Sequence, residues 1–393
     1  MRLFPAVAMA LVLAQPGNPL FCETQSGSPP PAYVLHIPGL QVAEMSPKEE
    51  YLIALVMRWP KGVPASAELQ VWDFRKGTLL QTRSLATPET SSEALQSEWQ
   101  LGITSLRSTS DGQLLVASMS RGLLHVLRPA DLEEIRTIHV PSHAKIHTFE
   151  VSPAAHQVAV RVSDDVLLYD LDSGGEIRRW KIKHSDGYER GLAWRADGGA
   201  LAASVADYAP CNRGGGMIYV FDPKSEKISN VFDVPLLPAD IAFGPGDSLY
   251  VASNTCGGYF AHWTLDLPFF DSVTGKKMGR IPAGSVGFRT HITIPANKQV
   301  LLARADREKM TFEGFEDTLK VTDAQWQVWD LSSGKILLTI PKTIGTALDL
   351  SPSLSKNGHF MYARQGHDLK IFSVPTAEGS GQKYVPSQFQ PLP

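Results

Sequence analysis

The sequence predicts an all-β protein, a seven-bladed β-propeller of four-stranded blades with its N-terminal strand completing the last blade. Three observations predict it. An aromatic residue, Asp and a turn recur together at Val71-Trp72-Asp73, Tyr169-Asp170, Phe221-Asp222, Phe270-Asp271 and Trp329-Asp330. A unit repeating roughly every 40 to 60 residues is the mark of a radial or stacked repeat architecture. Inner strands end at Ser46-Pro47, Asp111-Gly112, Ser152-Pro153, Asp197-Gly198, Gly244-Pro245, Pro295-Ala296 and Ser351-Pro352, one mark per blade. Finally, the last repeat stops at Phe372 without an outer strand, while Tyr33–Ile37 is a strand without a repeat of its own. Pairing the two removes edges that would otherwise template aggregation.

The chain divides in order. Residues 1–22 read as a signal peptide: Arg2 precedes an apolar run through Ala14 that is too short to cross a bilayer core of about 30 Å as a helix, and Val12-Leu13-Ala14 supplies a small-residue cleavage pattern. Residues 23–31 form a Ser/Gly/Pro linker with nothing to bury. Residues 32–375 carry the blades. Their second and third strands pair Tyr51–Met57 with Leu69–Asp73, Leu114–Ser118 with Leu123–Leu127, and Gln157–Val162 with Val166–Tyr169. The series continues with Ala200–Val205 and Met217–Phe221, Ser248–Ser253 and Asp266–Phe270, Val300–Ala303 and Gln325–Trp329, and Phe360–Ala363 with Leu369–Phe372. No 3.6-residue apolar stripe competes with these short runs. Residues 376–393 are polar and Pro-rich and read as a loosely ordered tail.

The turn chemistry follows from the residue types. Asp accepts from a backbone N–H two residues on, and Gly takes the left-handed position a tight hairpin needs. Val71-Trp72-Asp73, Val328-Trp329-Asp330 and the Ser-Pro inner-strand ends resemble WD-repeat propellers and their bacterial YVTN-type relatives. The Gly-His pair that opens eukaryotic WD repeats is missing, which favours the bacterial type. What the resemblance implies is a rigid recognition platform, with enzymes a minority.

Composition excludes several functions. With 37 basic and 40 acidic residues among 393, net charge is −3 and no long basic run exists, so no nucleic-acid partner is expected. No later stretch is apolar enough for a transmembrane segment. The expected protein is a secreted or periplasmic monomer. It has no Gly-x-Ser-x-Gly elbow, and Gly214-Gly215-Gly216 lacks the Lys and helix of a phosphate loop. His143 and His147 stand four apart at a strand entry, where that spacing does not share a face. Neither a cofactor, a metal nor a catalytic residue is expected.

Two places remain for binding. First-to-second and third-to-fourth turns are short and share one side of the disc. The other side carries long connections: Arg58–Glu68, Asp207–Gly216, Asn254–Thr264 and a loop over Ala305–Asp323. Loops on a rigid scaffold collect binding residues, so Trp59, Tyr208, Arg213, Tyr259, Trp263, Phe312 and Phe315 are the candidate recognition surface. Cys211 and Cys256 lie in equivalent loops of adjacent blades. Pairing in an oxidising compartment would brace them by about 2–4 kcal/mol; the alternative is two free thiols. The second place is the central channel, where inner strands begin with Gln41, Thr104, His147, Arg190, Asp240, Arg289 and Thr346. Its His147, Arg190, Asp240 and Arg289 suit a small anionic ligand. The expected function is a non-enzymatic platform for a protein or such a ligand. The alternative is a lactonase- or quinoprotein-like propeller enzyme working at the channel mouth.

Overall fold

Short apolar runs of four to eight residues, broken by polar turns, are buried on both faces when sheets stack face to face. The computed structural model has this arrangement. It describes residues 29–58, 66–85, 105–120, 122–141, 146–182, 191–207, 215–235, 237–254, 266–282, 292–295, 300–313, 316–341 and 352–375. Among them all regular structure is β, in seven four-stranded antiparallel sheets. Strand β1 (Tyr33–His36) comes first in the chain and belongs to the last sheet. The first sheet is β2 (Leu40–Met45), β3 (Leu52–Arg58), β4 (Ser66–Asp73) and β5 (Thr78–Leu85). The second is β6 (Ser105–Ser108), β7 (Leu115–Ser120), β8 (Leu123–Arg128) and β9 (Glu133–His139). The third is β10 (Ile146–Val151), β11 (Gln157–Val162), β12 (Asp165–Asp170) and β13 (Glu176–Lys181). The fourth is β14 (Leu192–Trp194), β15 (Leu201–Asp207), β16 (Gly215–Phe221) and β17 (Ile228–Val234). The fifth is β18 (Leu237–Phe243), β19 (Ser248–Asn254), β20 (Asp266–Asp271) and β21 (Lys277–Pro282). The sixth is β22 (Ile292–Thr293), β23 (Val300–Glu313), β24 (Glu316–Asp330) and β25 (Lys335–Pro341). The last is β26 (Ser353–Leu354), β27 (Phe360–Gln365), β28 (Asp368–Ser373) and β1.

Alternate residues of each strand point to opposite neighbours. In β11, Val158, Val160 and Val162 pack with Val116 and Val126 of the second sheet, while Ala159 packs with Leu192 and Leu201 of the fourth. The same division repeats, so each successive pair of sheets shares one apolar cluster. A further cluster joins the last sheet to the first: Leu35, Leu369, Ile371 and Tyr362 pack on Leu40, Ala54 and Phe74. The spare N-terminal strand provides one side of it. β1 pairs with β28 from Tyr33↔Ile371 to His36↔Asp368.

Turns of two kinds share one side. The third-to-fourth turn is tied to the first-to-second turn of its own sheet by Leu171 N–H to His156 O (2.8 Å) and Ser272 N–H to Asp247 O (2.9 Å), and in the last sheet Val374, just after β28, makes the matching bond from its N–H to His359 O (2.8 Å). The turn aspartates act as expected. Asp170 accepts from Ser173 N (2.7 Å), Asp271 from Val273 N (3.0 Å) and Asp330 from Ser332 N (3.0 Å).

Two expectations need correction. The inner strand of the last sheet does not end at Ser351-Pro352; β26 (Ser353–Leu354) begins just after that pair, and the turn opens at Ser355, whose N–H bonds Phe360 O at 2.8 Å. A hydroxyl residue, not the proline, defines these turns. Ser46 Oγ accepts from Glu50 N and Tyr51 N, Thr109 Oγ1 from Leu114 N, and Ser355 Oγ from Phe360 N. The second correction is larger. Ala305–Asp323 is not an irregular loop, because β23 and β24 pair without interruption from Val300↔Asp330 to Glu313↔Glu316, apart from one bulge.

Candidate functional site

The innermost strand of each sheet leaves one edge unpaired, and these edges must face water or a ligand. A cavity of about 1130 Å³ runs between them, and every inner strand contributes to its wall. One register position dominates its chemistry. Two residues before the inner-strand turn stand Glu44, Arg107, Glu150, Ala193, Ala242, Thr293 and Ser353, in sheet order. The first three sheets therefore place fixed charge on the wall, and the other four place small or neutral groups there.

Two of these three charges form an ion pair. Arg107 grips Glu150 with Nη2 to Oε1 at 2.8 Å and Nε to both oxygens at 3.0 Å. Burial opposes the charge on Arg107, but the Glu150 carboxylate outweighs it and raises the guanidinium pKa still further. Glu44 accepts from Ser108 N–H at 3.2 Å, and Lys356 Nζ donates to Ser108 O. Burial raises the Glu44 pKa against the pull of Lys356 and Arg107, and burial lowers that of Lys356. Trp194 Nε1–H donates to Glu150 O at 3.0 Å. An ion entering here would compete with a formed, partly desolvated ion pair.

Asp240 lines the cavity, and its carboxylate is committed. Oδ1 accepts from Ile241 N–H at 2.9 Å and Oδ2 from Ile292 N–H at 3.1 Å, which cross-links the fifth sheet to the sixth. His147 sits half-buried at a bulge in β10, and the wall takes its neighbours Thr148 and Glu150 instead. Arg190 and Arg289, on which the anionic ligand mostly rests, lie outside the described residues, as do Thr104 and Thr346. So do Trp59, Tyr208, Arg213, Tyr259, Trp263, Phe315, Cys211 and Cys256. Phe312 lies in β23, at a position paired with Asp317. Among the described residues, no three His, Cys, Asp or Glu side chains gather as a metal site would require.

Sequence reasoning missed Glu44, Arg107, Glu150 and Lys356. The signal was present as a charged residue at one fixed distance before a Ser or Thr turn. It also missed a latch between sheets. Eight residues after the turn Asp, or after Arg128 in its place, stand Gln81, Arg136, Arg178 and Asn230. Each donates to carbonyls in the third-to-fourth turn of the next sheet: Gln81 to Asp131 (2.5 Å), Arg136 to Ser173 and Asp172 (2.8 and 2.6 Å), Arg178 to Pro223 and Lys224 (3.0 and 3.1 Å), and Asn230 to Ser272 and Val273 (3.0 and 2.9 Å).

No protein-family model matches this chain, and no curated protein matches it in sequence. Its architecture is shared with solved structures. A chain in the crystal structure of the mitotic checkpoint complex matches 94% of this chain and 99% of its own length, at a TM-score of 0.59 and 17% identity. The likeness is to a WD-repeat propeller, and at this identity it speaks to fold alone.

Proposed function

We infer that this chain is a closed seven-bladed propeller that works outside the cytoplasm as a non-enzymatic binding platform for a protein partner. The observation that carries the reading is the asymmetry between its two sides. Short turns, bonded to one another, form one side, and the β23–β24 hairpin closes at the opposite end of its strands. A stiff ring with one elaborated side suits recognition better than chemistry. The likeness to a WD-repeat propeller agrees with it.

Affinity capture from the native envelope or medium tests the reading. The full chain should retain a partner that Tyr259→Ala and Phe315→Ala variants lose; identical capture by all three would overturn the proposed surface. Export is tested separately. The protein from the extracytoplasmic fraction should begin near residue 23 on N-terminal sequencing, and an intact Met1 in a cytoplasmic pool would contradict it.

A further inference from the structure

Lys356 stands where the fold asks for no long side chain. It directly follows Ser355, which opens the first-to-second turn of the last sheet. The same place in five other sheets holds Pro47, Ser110, Pro153, Ala196 and Pro245. From the last sheet Lys356 reaches to the second, where Nζ donates to Ser108 O. The N–H of that same residue donates to Glu44 at 3.2 Å. In an extended strand the N–H and C=O of one residue point to the same side, so the amine and the carboxyl meet along the free edge of β6. Both line the cavity of about 1130 Å³.

Neither group is spent. Arg107 is held by Glu150, and Asp240 accepts from two backbone N–H groups. Among the described residues, Lys356 makes its one hydrogen bond and no ion pair, and Glu44 accepts only from Ser108. Burial pushes both toward their uncharged forms, the Glu44 carboxyl upward and the Lys356 amine downward, against the pull each exerts on the other. An uncharged amine is a nucleophile, and a neutral carboxyl beside it is a proton donor. The wall also takes in Ala193, Ala242 and, just after β22, Ile294, which gives apolar surface for the body of a reactant. It reaches exposed turn residues at Ser110, Ala196 and Gly246, so the cavity opens to solvent on the short-turn side.

We propose that Lys356 is the amine with which the central cavity captures a small apolar aldehyde as an imine. Nζ attacks the carbonyl carbon, the N–C bond forms, and one proton passes from nitrogen to the carbonyl oxygen. Glu44 then protonates the new hydroxyl, the C–O bond breaks and water leaves. The product is a protonated imine with the Glu44 carboxylate as its counterion. One aldehyde and one amine give one imine and one water, with no oxidant or reductant. This is reversible covalent binding, separate from the capture of a protein partner.

The test is reductive trapping on the full chain with pentanal and cyanoborohydride at neutral pH, followed by peptide mass spectrometry. Lys356 should be alkylated at least about tenfold faster than any other lysine, because more of it is uncharged. Its rate should saturate with pentanal concentration, as binding in a cavity requires, while other lysines respond linearly. Lys356→Arg keeps a donor for Ser108 O, so it should hold the parent thermal transition and lose the fast site. Glu44→Gln keeps an acceptor but no proton, and should slow trapping at Lys356 alone by about a hundredfold. Without reductant, dialysis should restore the parent mass. Trapping at Lys356 no faster than elsewhere, a linear concentration dependence there, or a fast site that survives Lys356→Arg would each overturn the proposal. An unchanged rate in Glu44→Gln would overturn the role of Glu44 as proton donor.

Discussion

Glu49 occupies a position that costs backbone energy. Its φ is +58°, and at the same place in three other inner-strand turns stand Gly112, Gly198 and Gly358, also with positive φ. A non-glycine residue there costs about 1–2 kcal/mol. The compensation is visible at the seam of the last and first sheets. Glu49 is only 5% exposed, and it accepts from Ser355 Oγ at 2.6 Å and pairs with His359 Nδ1 at 2.9 Å. Its carbonyl accepts from Arg75 Nη1 at 2.5 Å, and that guanidinium lies 4.6 Å from the Phe74 ring centroid. Glu49→Ala should destabilise by about 2–3 kcal/mol, because charged bonds are lost and strain stays. Glu49→Gly relieves the strain and should fall between alanine and wild type in urea unfolding. His156 stitches the second sheet to the third in another way. Nε2 meets Asp111 at 2.7 Å and Nδ1 meets Asp172 at 3.0 Å. Bonds to Asp111 and then Asp172 raise its pKa, so this stabilisation is full below pH about 6.5 and is lost as pH rises through the raised value. Burial alone would raise the Asp111 pKa, but bonds from Thr109, Gln113 and His156 hold it at about 2. Its contribution is present above pH about 4 and fades as pH falls towards 2. The thermal midpoint of the wild type should therefore decline on the alkaline side, and His156→Gln should flatten that limb.

At the scale of elements, the outer strand of one sheet holds the turn of the next. Arg136 on β9 and Asn230 on β17 each bond two carbonyls across a seam, and the two seams share no partner. Arg136→Ala and Asn230→Ala should each cost about 1 kcal/mol, and the double variant about their sum, by denaturant unfolding. Coupling well beyond the sum would mean that strain travels round the molecule. Strands were legible in the sequence wherever burial on both faces made an apolar run, as in Gln157–Val162. The aromatic-Asp turns were legible because their side chains act locally. The latch at Gln81, Arg136, Arg178 and Asn230 was not, since a polar residue on an outer strand looks solvated until the next sheet is in place. Glu44, Arg107 and Glu150 hid for the same reason. The β23–β24 hairpin hid differently: Met310, Phe312, Leu319 and Val321 alternate along the sequence, but charged residues between them read as loop.

At the scale of the whole molecule, stability depends on the chain's two ends meeting. Leu35 is 2% exposed, between Ile371 and the first sheet. Leu35→Asp buries a charge without a partner and should cost at least about 3 kcal/mol. The seven sheets form a rigid base only if that junction holds. The most direct test is native-state hydrogen exchange on the β1 amides, Tyr33–His36, compared with those of β27. A closed ring predicts that Leu35 exchanges as slowly as the β27 core, through global opening alone. Rapid exchange of β1 alongside a protected β27 would contradict the closed ring.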